Sequence, residues 1–340
     1  MSSDRPTVLL TGPTGVVGAP LLERLPPDSV VCLVHSTAID RPGVTVVRGD
    51  VTRPRLGLSA AEYGALTDRI DVVVHSAAAT RFDLRRDEVF AVNVEGMARV
   101  LELVADAGAR LVALSTAFVR AEAGAEVGWL SPKHYLDSKR AAESLLYDSG
   151  LDWHLVRPSV VIGNSDTGET ARLQGFHFFM RALLRDMLPM IPVDDRHILD
   201  FVAVDLLAEI LASIVDAAPP WAESWVTAGP QAWSARRVIN AVVEIAAERG
   251  HPVPRPRLMD PEAVERLVRP VFFPELPKRV VRRYDQVAGF STVVITHEPF
   301  ESSVTELASH YGREWKLELE RTLERTIGFL LESLGSPVSA

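Results

Sequence analysis

Through the first half of the chain, short runs of β-branched and aliphatic residues alternate with longer stretches whose apolar positions recur every three or four residues. The short runs predict strands over residues 7–10, 30–34, 44–47, 71–75, 110–114 and 153–156. The longer stretches predict helices over 16–25, 89–107 and 135–148. Strands that read as continuous apolar runs are buried on both faces, and alternation with helices is how parallel strands are connected. The expected fold class is therefore α/β, a doubly wound parallel sheet. The second half reads mostly helical, over 176–188, 205–216, 235–249 and 302–334, interrupted by proline-rich loops around 252–256 and 270–277. There is no internal repeat and no low-complexity tract.

Composition narrows the function classes. With 340 residues there is material for about two domains. Lys and Arg number 36 against 45 Asp and Glu, a net charge of −9, and the pI is near 5.5. A polyanion such as nucleic acid is a poor partner for such a chain. Hydrophobic content of 47% with 24% charged residues is that of an ordinary globular protein. The single cysteine, Cys32, can form no internal disulfide. The opening residues carry no basic and apolar signal pattern, and the apolar runs fall far short of the ~20 residues that span a bilayer. The expectation is a cytoplasmic protein without a membrane span. The histidines are scattered without paired ligand spacing, so no metal site is expected.

The first chemical signal is Leu10-Thr11-Gly12-Pro13-Thr14-Gly15-Val16-Val17-Gly18, which ends a strand and opens a helix with glycines three apart. Where a pyrophosphate approaches a helix start, backbone free of side chains is needed. This context favours a dinucleotide loop over a merely structural turn. Asp50, with Val51 beside it, follows the third strand, where a carboxylate can accept from an adenine amine or simply cap a turn. Ala77, Ala78 and Ala79 follow the fourth strand and leave room for a ribose. At the end of the second strand stand His35, Ser36 and Thr37, with no acidic residue to bind ribose hydroxyls. That tilts the cofactor to NADPH, with His35, Ser36 and Arg48 as phosphate donors; NADH, with His35 an ordinary loop residue, stays open.

The second signal is Tyr135-Leu136-Asp137-Ser138-Lys139, a phenol and an ammonium one helical turn apart. A nearby cation favours the phenolate and makes proton transfer feasible. Ser115 and Thr116 end the fifth strand, at the sheet edge where doubly wound folds bind ligands, and the Thr116 hydroxyl completes a trio.

With these elements, and with Asn93-Val94-Glu95-Gly96 and Arg157-Pro158-Ser159-Val160-Val161-Ile162-Gly163, the first half resembles the extended short-chain dehydrogenase/reductase superfamily. The stretches 75–82, 115–119 and 200–205 look most like its thioester reductase and fatty acyl-CoA reductase (male sterility) branch. The resemblance implies a Rossmann domain over 1–165 and a smaller substrate-binding lobe over 166–340, parts of which return to the sheet. It implies NADPH-dependent reduction of an acyl thioester to an aldehyde, and in some cases on to the alcohol. In those terms Thr116 holds the carbonyl oxygen, Tyr135 protonates it, and Lys139 lowers the Tyr135 pKa and binds the nicotinamide ribose. Asn93 supports Lys139 through a water, and Pro158, Ser159 and Val160 line the nicotinamide pocket. Two departures stand out: the branch commonly carries arginine at the position of His35, and the stretch between Thr116 and Tyr135 is short, which leaves a more open mouth.

Other features read both ways. The aromatic stretch 173–180 lines an acyl channel or is plain core, and the basic run 278–283 meets a phosphate-bearing carrier or is a solvated edge. The apolar face of the last helix suits packing on the lobe better than a membrane surface. Asp194 and Asp195 are expected in a loop. The expected partner is a small-molecule or carrier-bound acyl substrate, with a homodimer left open. Two alternatives keep part of this picture: a dehydrogenase, ketoreductase or epimerase of an alcohol, ketone or sugar-like molecule, and a non-catalytic dinucleotide-sensing regulator.

Overall fold

A computed structural model describes residues 5–120, 132–194, 196–282, 284–285 and 294–335. Seven parallel strands form the main sheet: β1 (Val8–Thr11), β2 (Val30–Val34), β3 (Thr45–Arg48), β4 (Val72–His75), β5 (Arg110–Leu114), β6 (Trp153–Pro158) and β7 (Glu223–Val226). Their order is β7-β6-β5-β4-β1-β2-β3. This is the doubly wound, Rossmann-like sheet expected from the alternation, and its order reverses between β1 and β4, where such sheets bind ligands beyond the strand ends.

Both faces are covered because alternate residues of each strand point opposite ways. Val8, Leu10, Val30, Cys32, Val72, Val74, Val112 and Val156 pack against α1 (Gly18–Arg24) and α6 (Val204–Asp216). Leu9, Val31, Val73, Leu111 and Leu155 pack on the other side, against α2 (Ala60–Thr67), α3 (Gly96–Ala107) and α4 (Pro132–Asp148). Burial pushes the Cys32 thiol up to about 12, which leaves it an inert core residue.

The six strands read from the sequence are present, with ends shifted by two residues at most. The seventh, β7, comes from the second half and pairs with β6. Its residues Glu223, Ser224, Trp225 and Val226 carry too little apolar pattern to announce a strand.

The second core gathers α5 (Gly175–Leu184), α7 (Ala235–Glu248) and α9 (Leu319–Glu332), whose Leu323, Ile327 and Leu330 are fully buried. The single helix expected over 302–334 is instead two, α8 (Val304–Tyr311) and α9. Gly312, at φ 60°, closes α8 by turning the chain into a left-handed conformation that only glycine adopts without cost. The proline-rich stretch 270–277 is also not wholly loop. Helical residues run from Pro261 through Glu275, with a π-helical turn, Val264–Val268, immediately before the segment that contains Pro270. Among the described residues no helix is long and apolar enough to cross a membrane.

Candidate active site

The glycine loop is built by close approach. Gly12 has φ 67°, and a Cβ there would meet the Ala77 backbone nitrogen at 2.8 Å. A Cβ on Gly18 would stand 2.1 Å from the Gly12 carbonyl oxygen. The Gly15 N–H donates to that same oxygen at 3.0 Å, which folds Thr14 and Gly15 over the start of α1. Val16 is buried beneath the loop, while Thr14, Gly15 and Val17 remain half-buried.

Thr11, at the end of β1, ties this loop to the end of β4. Its Oγ1 accepts from the N–H groups of Ser76 and Ala77, both at 3.2 Å, and lies 2.9 Å from His75 Nδ1. Burial first, and then Lys139, push His75 down to about 3, so the ring is neutral. Its Nδ1 accepts the Thr11 hydroxyl proton, and the ring proton sits on Nε2. The residues 77–79 are thereby fixed at the strand edge.

Asn93 completes that fixation. It lies in a π-helical turn, Ala91–Glu95, inserted between Arg86–Phe90 and α3, within the stretch read as one helix. Such turns often sit at functional sites. Its Oδ1 accepts from Ala79 N at 2.7 Å, and its Nδ2 donates to Ala79 O at 3.0 Å and to Ser138 Oγ at 2.8 Å. Asn93 therefore links the end of β4 to α4 at the residue before Lys139.

On α4, Tyr135 and Lys139 share one face. The Thr116 side chain is buried just past the end of β5, where its Oγ1 accepts from the Phe118 N–H at 3.4 Å, and Phe82 packs its ring 5.8 Å from the tyrosine ring. Lys139 Nζ donates to the Leu114 carbonyl at 3.1 Å. The expectation that Lys139 lowers the Tyr135 pKa is corrected here. Burial pushes the phenol up to about 12, and the influence opposing it is the neighbouring Thr116 hydroxyl. Burial also brings the Lys139 ammonium down to about 8, against the pull of Glu143.

Lys139 and Asn93 line a small cleft with His75, Ala77, Ser115 and Glu143. Ser115 Oγ is buried without a hydrogen-bond partner, and an orphaned hydroxyl beside a side-chain-free loop fits a polar ligand such as a dinucleotide. Pro158 ends β6, and Ser159 follows with its N–H on Val226 O at 3.1 Å. Val160 begins the short strand Val160–Ile162, paired with Phe201–Ala203.

At the far end of the loop region, Asp50 makes the turn read as its alternative role. Its Oδ1 accepts from Thr52 N at 2.9 Å and from Thr52 Oγ1 at 2.8 Å. Partial burial raises its pKa, but these bonds, with His35 and Arg53, outweigh that and hold it below the usual carboxylate range. His35 Nε2 and Arg53 Nε each lie 3.8 Å from Asp50 Oδ2. His35 and Ser36 are exposed, Val51 is half-buried, and Arg53 was absent from the sequence reading.

A family profile described as Male sterility protein, an NAD-binding family, matches residues 35–211, more than half of the chain. The chain belongs to that family. As a male sterility family member it is an NAD(P)-dependent oxidoreductase of the short-chain dehydrogenase/reductase type, as its motifs led one to expect. It is 33% identical over 182 residues to the hybrid PKS-NRPS synthetase pvhA of Talaromyces variabilis, 48% of this chain and 4% of that protein. It is 30% identical over 210 residues to the glycine betaine reductase ATRR of Emericella nidulans, 49% of this chain and 16% of that protein. The chain thus spans a small part of the length of these relatives.

In fold, it is similar to the terminal R domain of the myxalamid PKS-NRPS pathway, with a TM-score of 0.73 and 22% identity over 98% of this chain and 92% of the other. An archaeal thiolation-reductase di-domain gives 0.66 and 17%, over 96% and 75%. The enzyme WbmG of Bordetella bronchiseptica, solved with NAD and UDP, gives 0.65 and 19%, over 97% and 96%.

The remaining expectations divide. Phe176, Phe179 and Met180 of the aromatic stretch are buried in the second core, with Phe176 stacked on Phe201, so this stretch is core in the main. The face of α9 is likewise covered. Lys278, Arg279 and Arg282 are exposed, as a solvated edge would be; Arg283 and Asp195 lie outside the described residues, as does 121–131, most of the short stretch between Thr116 and Tyr135. Among the described residues no group of three or more metal-ligating side chains occurs. Sequence reasoning placed Thr11, His75 and Arg157 only as members of motifs, without a role of their own, and Glu143 carries no local signal.

Proposed function

We propose that the chain reduces an acyl thioester, or the aldehyde derived from it, with NADPH, using Thr116, Tyr135 and Lys139. The observation that carries this reading is the placement of Tyr135 and Lys139 four residues apart on α4, facing the end of β5 where Thr116 follows the Ser115 that lines the cleft with Lys139. A hydroxyl and a phenol that both reach one carbonyl oxygen can bond it together and stabilise the negative charge that develops on it. A phenol held protonated at neutral pH is the form a reduction requires at the outset. The bound dinucleotide supplies the hydride. Tyr135 gives its proton to the oxygen, and the resulting hemithioacetal expels the thiol and leaves the aldehyde. Lys139, near 8, can return a proton to the phenol. The dinucleotide would be held by the loop from Gly12 through Gly18, by Asp50, Val51 and 77–79, by Ser115, and by 158–160. His35, Ser36 and Arg48, with Arg53 as an addition beside Asp50, would face a 2′-phosphate.

The relatives named above, which are multidomain synthetases and reductases, support a carrier-bound substrate. The exposed Lys278 and Arg279 support a phosphate-bearing arm, since the same segment brings Arg282 within electrostatic reach of Asp83, next to the Phe82 that packs on Tyr135.

The test is oxidation of NADPH and NADH with acyl-coenzyme A, acyl-pantetheine and free aldehydes, with products identified by mass spectrometry. Thioester-dependent oxidation is expected, and Tyr135→Phe should lower kcat by a factor on the order of 10²–10⁴ while dinucleotide binding persists. If every thioester and aldehyde stays intact while a ketone or sugar nucleotide turns over, the reading is wrong.

A further inference from the structure

Behind the cleft lies a buried charge network that the reaction as described does not use. Arg157, on β6, is almost wholly buried and grips Glu143 with both arms of its guanidinium, Nε to Oε1 at 3.0 Å and Nη2 to Oε2 at 2.7 Å. Its Nη1 reaches Glu223 on β7 at 2.5 Å, and Tyr147 adds its hydroxyl to both Arg157 and Glu223. The face of Arg157 rests on Trp225, 4.8 Å from the ring centre. A guanidinium fixed on four sides leaves the Glu143 carboxylate one orientation.

Glu143 stands one helical turn beyond Lys139 and lines the same cleft. The groups that face Lys139 from the surrounding elements are neutral, with one exception. Burial keeps His75 of β4 uncharged, Ser115 and the Leu114 carbonyl come from β5, and Asn93 comes from the π turn. On α4 itself Tyr135 is a protonated phenol, and Arg157 stands behind Glu143. The anion acting on the ammonium is Glu143.

We infer that Glu143, held in one orientation by the Arg157 fork and lining the same cleft one helical turn along α4, is a positioning residue for Lys139 that favours its protonated form. The inference rests on Lys139 having the part given it above only for its effect on turnover; the effect on Lys139 itself is independent of any activity. Removing the carboxylate charge makes the cation less favourable, so the proton leaves at lower pH.

The experiment is a pH titration of the intact chain with isotope-labelled lysine, followed by NMR at the Lys139 side chain, which reads the ionisation of that buried amine with no reagent having to reach it. Glu143→Gln keeps the shape and should lower the titration midpoint by about one pH unit, a tenfold loss of proton affinity. Glu143→Asp keeps the charge and draws it one methylene away, so it should give a smaller fall; it also stands in if the first variant does not fold. Glu223→Gln, which removes the carboxylate on the far side of Arg157, should leave the midpoint in place. Where turnover is seen, its alkaline limb should move with the midpoint. A midpoint unmoved by Glu143→Gln, or moved equally by Glu223→Gln, overturns the inference. If no thioester is turned over but the midpoint falls, the proposed function fails and this inference stands.

Discussion

Lys139 reaches from α4 to the end of β5, where its ammonium donates to the Leu114 carbonyl at 3.1 Å. That contact anchors the cation at the sheet edge and aligns the helix face that carries Tyr135. Lys139→Met keeps the length of the stem and removes the charge. We expect kcat to fall at least about a hundredfold, with Tm moved by only a few degrees. Steady-state rates and a thermal scan of the same preparation check this, and an unchanged kcat would take Lys139 out of the mechanism.

The loop tolerates no side chain at Gly18. A methyl group there would stand 2.1 Å from the Gly12 carbonyl oxygen, a backbone atom that cannot swing aside. Gly18→Ala should destabilise the chain by about 1–3 kcal/mol through overpacking. It should also weaken dinucleotide binding by about tenfold or more, since the loop must open to relieve the clash. Fluorescence titration with the reduced dinucleotide, beside a denaturant melt, separates the two effects.

Three buried histidines bear on acid stability. Burial is the leading cause that pushes His75 down to about 3, and His154 and His177 each down to about 4. In the unfolded chain each takes up a proton near its ordinary value of 6.5. Between pH 6.5 and 4 the unfolded state therefore binds more protons, and stability falls as the pH falls. Tm should drop steadily as the pH falls below 6.5. His177→Gln should flatten part of that slope, and a slope identical to that of the parent chain would show that His177 does not contribute.

His35 and Arg53 flank Asp50 Oδ2, each at 3.8 Å, at the edge of the region where a ribose phosphate would come. Replacing both by alanine should raise KM for NADPH about tenfold and leave KM for NADH within about twofold, because only the former carries a 2′-phosphate. A parallel rise in both would assign these residues to the loop's structure.

Much of the sheet was legible because a strand buried on both faces must be apolar throughout, as Val30 to Val34 are. The glycine loop and the pair of Tyr135 and Lys139 were legible for a related reason, since each depends on spacing within one local element. What stayed hidden depends on contacts distant along the chain. β7 is recognised by its place beside β6, and Arg157 by two carboxylates 14 and 66 residues away. The break at Gly312 was written in the sequence but masked by the apolar rhythm continuing on either side. The direction of the Tyr135 shift could not be read from spacing, because it is set by burial, a property of the whole fold.

The return of the chain to supply β7 also orders its birth. Until residue 226 has emerged from the ribosome, the flank of β6 is a bare strand edge, and Arg157 lacks Glu223 and the Trp225 ring. An exposed parallel edge is a template for other chains. The nascent protein must therefore carry an unfinished sheet through the synthesis of the 64 residues between β6 and β7. Fragments that stop within that interval should aggregate where longer ones do not.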